Sequence, residues 1–145
     1  MATARDVALH ILETQGAMGT MKLQKLVFYS QAYSLAWFKK PMFENRVEAW
    51  VHGPVIRDLW DLHRKQYEFD AEALKRADPS ANANNLTDQD RLVIKSVLHG
   101  VGALSGLDLR ERTHAEAPWK DAFDESEQFH DTEITKDAMM EYYAH

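Results

Sequence analysis

The sequence predicts a mainly α fold: a compact single-domain helical bundle of about six or seven helices around a central helix at about residues 20–38. Two observations predict it. Apolar residues recur at helical spacing along most of the chain. Hydrophobic residues also make up 45% of the 145 residues, which is enough for one core without disulfides or metals. Residues 42–51 are rich in aromatic and β-branched side chains and are compatible with one or two short β-strands.

The N-terminal half begins with two predicted helices. The first covers residues 4–14, and Gly16 and Gly19 end it. The central helix follows from Thr20, with one apolar stripe that ends at Trp37. A second stripe consists of Phe28, Ala32 and Leu35. Because a helix with two apolar sides packs neighbours on both, we expect this one to be the scaffold of the fold.

The stretch EAWVHGPVIRDLWDL, residues 48–62, raises the question of an active site. Pro54 suits the first position of a helix, because its fixed φ and missing N–H cost nothing there. Gly53 permits a turn before it. We therefore predict a corner at which an extended segment turns into a helix, with Trp50 and Trp60 anchoring that helix to the core.

The C-terminal half is predicted to begin with a flexible loop at about residues 76–86, which is polar and rich in asparagine. Helix starts follow at capping residues or at proline: Thr87 with Asp90, Ser105 with Asp108, Pro118-Trp119, and Thr135. Neither side of the loop is long enough for a comfortable core of its own. The chain is therefore predicted to be one domain over residues 1–145.

Composition excludes several classes of protein. The chain has no cysteine, which excludes disulfides, thiolate nucleophiles and Cys-ligated zinc. Its N-terminus lacks the apolar run of a signal peptide, and no stretch approaches the ~18 apolar residues of a membrane span. We expect a cytoplasmic protein without a membrane partner. The net charge of −6 argues against a dedicated nucleic-acid binder.

No pattern of residues indicates catalysis. None of the seven histidines has the spacing of a helical metal site, although His52 and His114 could meet in the fold. Ser105 does not lie in a nucleophile elbow, and no phosphate-binding glycine loop is present. We therefore expect no enzymatic activity, no cofactor and no metal. A small hydrolase built on His52 and His114 is the alternative that this pattern leaves open.

Charge is distributed unevenly along the chain. Residues 21–40 contain four bases and no acid, namely Lys22, Lys25, Lys39 and Lys40. Residues 120–145 contain eight acids and two lysines. Solvated helix faces explain both runs in the simplest way. The basic helix also leaves open a regulator, encoded by a phage or mobile element, that binds nucleic acid.

Four blocks of the sequence together resemble one known family. They are Met21 to Tyr29 (MKLQKLVFY) continued by Gln31-Ala32, Phe43 with Glu48 to Val55 (EAWVHGPV), Leu86-Thr87 to Gly100, and Leu104-Ser105 with Thr113-His114 and Pro118-Trp119. In this order they are similar to the Panacea domain of the SocA-like antitoxins, formerly a domain of unknown function. His99-Gly100 stands where the family commonly has Tyr-Gly.

The resemblance implies an antitoxin that neutralises a cognate toxin by direct binding. Such proteins are encoded beside the toxin, often in mobile elements or phage-linked loci, and one branch delivers its toxin to a protease. Residues that carry the signature of the fold are Lys25, Tyr29, Trp50, Gly53, Pro54, Pro118 and Trp119. Residues predicted to contact the partner are His52, His114, Asp124, Glu125 and Glu127. The acids are expected to face a basic toxin.

Overall fold

Helix α2 (Thr20–Phe38) is the centre of the fold in a computed structural model that describes residues 1–127 and 130–144. From Leu23 to Leu35 every residue of α2 except Tyr33 is buried. Helices pack against it on several sides: α1 (Ala4–Gln15), α3 (Arg57–His63), α5 (Asp88–Val101), α6 (Gly106–His114) and α8 (Lys136–Tyr143). The mainly α fold and its central helix are therefore confirmed.

The remaining helices are short. They are α4 (Ala71–Ala77) and α7 (Ala117–Ala122), together with a 3-10 turn at Ala83–Asn85. The described residues thus form eight α-helices. Helix α4 was not predicted, because Leu74 is its one buried residue and so leaves no apolar period in the sequence. The predicted helix starts at Thr87, Ser105 and Thr135 are confirmed, since each side chain accepts a backbone N–H bond of the first turn.

Residues 47–56 form a β-hairpin. Strands β2 (Val47–Trp50) and β3 (Gly53–Ile56) pair antiparallel, and Trp50 lies opposite Gly53 across the two-residue loop. A short strand at residues 132–133 pairs with the other edge of β2. A separate pair joins residues 18–19 to residues 68–69. The expectation of short strands near residues 42–51 was correct, although the sheet extends further along the chain.

The prediction that Pro54 begins a helix is wrong. Pro54 lies in β3, opposite Ala49, and helix α3 begins only at Arg57. Because β3 is an edge strand, a residue without an N–H is tolerated there. The fixed φ of proline suits an extended chain as well as a first helical turn, so the dipeptide alone does not distinguish the two.

Two buried glutamines of α2 complete the backbone hydrogen bonds around this sheet. The Gln24 amide accepts a bond from the Ile56 N–H at 2.9 Å and donates to the Ile56 carbonyl at 3.2 Å, in the manner of a neighbouring strand. The Gln31 amide accepts a bond from the Met42 N–H at 2.7 Å and donates to the Phe43 carbonyl at 2.7 Å. An unpaired buried backbone group is costly, so these amides fix the hairpin and its approach against α2.

The segment predicted as a flexible loop is attached to helix α1. Buried Asp6 accepts bonds from the Asn82 N–H at 2.8 Å and from the Asn85 side chain at 3.2 Å. The mobility of this loop stays a prediction.

The apolar stripe predicted along α2 does not remain buried to its end. Trp37, its last residue, is 49% exposed.

Among the described residues, no single helix is long and apolar enough to cross a membrane. Helices α5 and α6 reach that length and composition only when taken together, across a 100° bend.

Candidate functional site

A pocket of about 490 Å³ opens where the hairpin, α3 and the first turns of α2 meet. Its apolar wall contains Trp50 and Trp60, and its polar lining contains Lys25, His52 and His63. Arg64, Lys65 and His130 contribute further basic groups. Of the described residues that line this pocket, none is an aspartate or a glutamate. The pocket therefore carries positive charge within a chain whose net charge is negative.

Lys25 is the most unusual group at this pocket. The residue is 1% exposed, and its ammonium takes part in none of the ion pairs or hydrogen bonds between described residues. Burial and, to a smaller extent, the nearby guanidinium of Arg110 together lower the pKa of Lys25 to about 8. A buried ammonium without a carboxylate is rare, because losing its hydration costs several kcal/mol.

Gly53 makes room for that lysine. A Cβ atom on Gly53 would lie 2.9 Å from Lys25 Cε, 3.1 Å from its Nζ and 3.3 Å from Thr113 Oγ1. The residue also has φ +123°, a backbone conformation that side chains with a Cβ rarely adopt. The two sequence blocks that contain Lys25 and Gly53 are thus in direct contact in the structure.

Glu48 positions the tryptophan at the pocket mouth. Its buried carboxylate accepts a bond from Trp50 Nε1 at 2.8 Å and forms ion pairs with Arg57 at 3.2 Å and Arg46 at 3.1 Å. The Trp50 and Trp60 rings meet edge to face at 5.3 Å. Both tryptophans are only half-buried, so they form the pocket wall and do not anchor α3 in the core as predicted.

The structure brings His52 and His114 close together, as the sequence allowed. Burial lowers the pKa of the His114 imidazole, and Arg110, Lys25 and His52 each lower it further through their charge. The ring stacks on Trp119 at 3.7 Å, and its Nε2 is buried without a partner. Within residues 1–127 and 130–144 there is no cluster of three or more His, Asp or Glu suited to a metal.

The predicted acidic residues lie on a segment next to the same pocket. The rings of Trp119, Phe123 and His130 continue the stack of His114, with 4.8 Å and 5.4 Å between successive centroids. Asp124, Glu125 and Glu127 are exposed on the turn between Phe123 and His130. Asp124 accepts bonds from the Ser126 N–H at 2.9 Å and hydroxyl at 2.6 Å, which lower its pKa.

The signature residues Tyr29, Pro118 and Trp119 lie outside the pocket lining, at contacts of α2 and the hairpin with the C-terminal helices. Tyr29 donates to Glu116 at 2.6 Å, and Tyr143 donates to the same oxygen at 2.8 Å. Burial raises the pKa of both phenols above their ordinary range. Pro118 is buried in the first turn of α7, and Trp119 donates to the Trp50 carbonyl at 2.7 Å. These bonds join α2 to α8 through Glu116, and the hairpin to α7.

The four lysines of the predicted basic helix do not share one surface. Lys22 and Lys25 lie near the start of α2, whereas Lys39 and Lys40 follow its end, about 25 Å away along a helix of that length. Lys25 is buried and cannot reach a nucleic-acid backbone. The arrangement therefore does not favour the nucleic-acid-binding alternative.

Sequence reasoning missed several residues that define this site. Gln24 and His63 share a buried hydrogen bond at 2.9 Å, and burial lowers the pKa of His63. Arg110 lies beside Lys25 although 85 residues separate them in the sequence. The sequence signal for the Gln24–His63 pair was a glutamine placed between apolar positions of a helix, which indicates a buried amide. No local signal could have placed Arg110, because the contact depends on how α6 packs against α2.

Comparison with known proteins gives one positive result. The model of the family described as antitoxin SocA-like, Panacea domain, matches residues 23–120. No curated protein and no solved structure matches the chain. The matched region contains Lys25 of the pocket lining and the residues near its side chain, namely Gly53, Arg110 and His114.

Proposed function

The chain belongs to the SocA-like antitoxin family with the Panacea domain, whose model matches residues 23–120, and we propose that it neutralises a cognate toxin by direct protein–protein binding. The toxin would be the product of a neighbouring gene, and the complex would form in the cytoplasm. No step of this activity requires chemistry by the chain itself. Delivery of the bound toxin to a protease is a further route within the same proposal.

The observation that carries the proposal is the exposed apolar and aromatic surface around the hairpin pocket. Val51 at the tip of the hairpin is 46% exposed and Tyr67, which follows a pocket residue, is 95% exposed. The half-buried Trp50 and Trp60 lie between the hairpin and α3. Large exposed aromatic side chains beside arginines are typical of the central contacts in protein interfaces.

Charge on the neighbouring segment supports a basic partner. Glu125 and Glu127 are exposed and take part in none of the ion pairs between described residues, so they remain available to an incoming cationic surface. Complementary charge at the edge of an interface mainly accelerates association and selects the partner. The face thus combines aromatic contacts for affinity with an acidic edge for attraction.

A growth assay tests the proposal. Expression of the neighbouring reading frame alone should arrest growth, and co-expression of this chain should restore it and yield a complex on purification. Val51→Asp together with Tyr67→Asp should abolish rescue, since two charges would then need to be desolvated in the interface. Leu92→Asp is the matched control, because Leu92 is 57% exposed on α5, away from this face.

Two results would contradict the proposal. One is a neighbouring product that does not affect growth or does not bind the chain. The other is full rescue by the double aspartate variant in the folded state, which would move the interface away from the hairpin.

A further inference from the structure

The ammonium of Lys25, which lines the pocket, lies close to two buried nitrogens outside the lining that also lack partners in the described part of the fold. Lys25 Nζ has no acceptor among the described residues, and Arg110 Nε and His114 Nε2 are buried without hydrogen bonds. The charges of these three residues influence one another, which places them in one cluster. Buried polar groups are nearly always paired in native proteins, so three unpaired ones together require an explanation.

Internal carboxylates do not supply the missing charge. Glu48, whose side chain is 7% exposed, is shared by Arg46, Arg57 and the Trp50 indole. Glu116, whose side chain is 13% exposed, is bound by two tyrosines and lies 3.7 Å from Arg112. These two acids are therefore engaged elsewhere, as is buried Asp6, and none of them pairs with Lys25.

We propose that this pocket binds a small organic phosphate, with the phosphate next to Lys25 and an apolar or planar body against Trp50 and Trp60. A phosphate offers several acceptor oxygens in a tetrahedral arrangement, which suits a lining with several basic groups, among them Lys25, Arg64 and Lys65. The volume of about 490 Å³ lies in the range of small-molecule sites, and the tryptophans supply the apolar wall that such sites have. The site lies within the face proposed to bind the toxin, but its ligand binding can be measured on the chain alone.

A small anion fits the rest of the molecule better than a nucleic acid. The chain carries a net charge of −6, so a long polyanion would be repelled outside the pocket. An enclosed phosphate meets only the local positive charge. Lys25 is also 1% exposed, which restricts contact to a ligand that enters the pocket.

Titration calorimetry and NMR on the purified chain with three simple probes test the site. Phenyl phosphate should bind, inorganic phosphate should bind more weakly and compete with it, and phenol should not bind measurably. In NMR spectra phenyl phosphate should shift the side-chain resonances of Lys25 and the indole resonances of Trp50 and Trp60. Lys25→Met should weaken phenyl phosphate binding about tenfold to a hundredfold, the effect of one charged hydrogen bond.

The controls separate this site from other sources of binding. Lys95→Met removes an exposed lysine of α5 and should leave the affinity unchanged. Benzoate carries a carboxylate on the same ring, and tighter binding of benzoate than of phenyl phosphate would overturn the assignment to phosphate. Absence of binding by both phosphates, or binding that leaves the Lys25 resonances unmoved in the wild-type chain, would overturn the proposal altogether.

Discussion

Replacing Lys25 by methionine should make the protein more stable. Methionine keeps the length of the side chain and removes the buried ammonium that has no carboxylate partner among the described residues. The pKa of Lys25 falls from 10.5 to about 8 in the folded chain, and this difference corresponds to about 3 kcal/mol. The free energy of unfolding of Lys25→Met at pH 7 should exceed that of the wild type by up to about this amount.

The pH dependence identifies the cause. Between pH 8 and 10.5 the unfolded wild type keeps the Lys25 proton and the folded wild type loses it, so wild-type stability rises with pH. The advantage of the variant should therefore shrink over this window. Lys25 also lowers the pKa of His114, but this imidazole titrates below the window. The other charged or titratable groups that surround Lys25 are present in both proteins; they are Arg110, His52, His63, Arg64, Lys65 and His130.

Urea unfolding followed by tryptophan fluorescence measures this difference at pH 7, 9 and 10.5 in phosphate-free buffer. Lys95→Met is the matched control, and its stability should stay within about 0.5 kcal/mol of the wild type. A variant at Lys25 that is less stable than the wild type at pH 7 would refute the reasoning. So would an advantage that does not change with pH.

Three further predictions concern the hairpin and the acidic segment. Gly53→Ala should lower the free energy of unfolding by about 1–3 kcal/mol, because Gly53 has a positive φ and a Cβ there would meet the Lys25 side chain. Gly100→Ala in helix α5 should instead raise the free energy of unfolding by about 0.5–1 kcal/mol. Thermal unfolding compares the two variants, and equal effects would contradict the steric argument. Glu48→Gln should lower the free energy of unfolding by about 1–3 kcal/mol, since two arginines lose the carboxylate that they share. It should also change the tryptophan fluorescence, and an unchanged spectrum would show that the carboxylate does not position the Trp50 indole. Replacing both Glu125 and Glu127 by lysine should change the free energy of unfolding by no more than about 0.5 kcal/mol. The double variant should associate more slowly with a basic toxin, most of all at low salt. An association rate equal to that of the wild type would remove this segment from the interface.

Local sequence signals predicted the parts of the fold that depend on local physics. The side chains of Thr87 and Ser105 accept N–H hydrogen bonds from the first turn of the helix that follows each of them. These helix starts could therefore be predicted without knowing what packs against the helices. The central helix was predicted for a similar reason, since apolar residues on two sides require packing on two sides. The hairpin was harder, because the backbone of Ile56 pairs with a side chain of α2 and not only with a strand.

The site depends on contacts that no local pattern contains. Lys25 lies between apolar residues of α2, where its charge suggested an exposed face, yet the residue is buried. Its burial requires the absence of a side chain at Gly53, and the charge of Arg110 from α6 acts on it there. The family resemblance singled out Lys25 and Gly53 without a reason, and the structure supplies one. The partner contacts of His52, His114, Asp124, Glu125 and Glu127 stay predictions.

Amide hydrogen exchange of the chain, alone and in complex with the neighbouring gene product, tests the central claim most directly. The claim is that this antitoxin-family protein holds its toxin with the face around the hairpin pocket. The account predicts slower exchange on complex formation at residues 50–53 and 64–67, with helix α5 unchanged. Protection confined to α5, or no change in exchange anywhere in the chain, would contradict it.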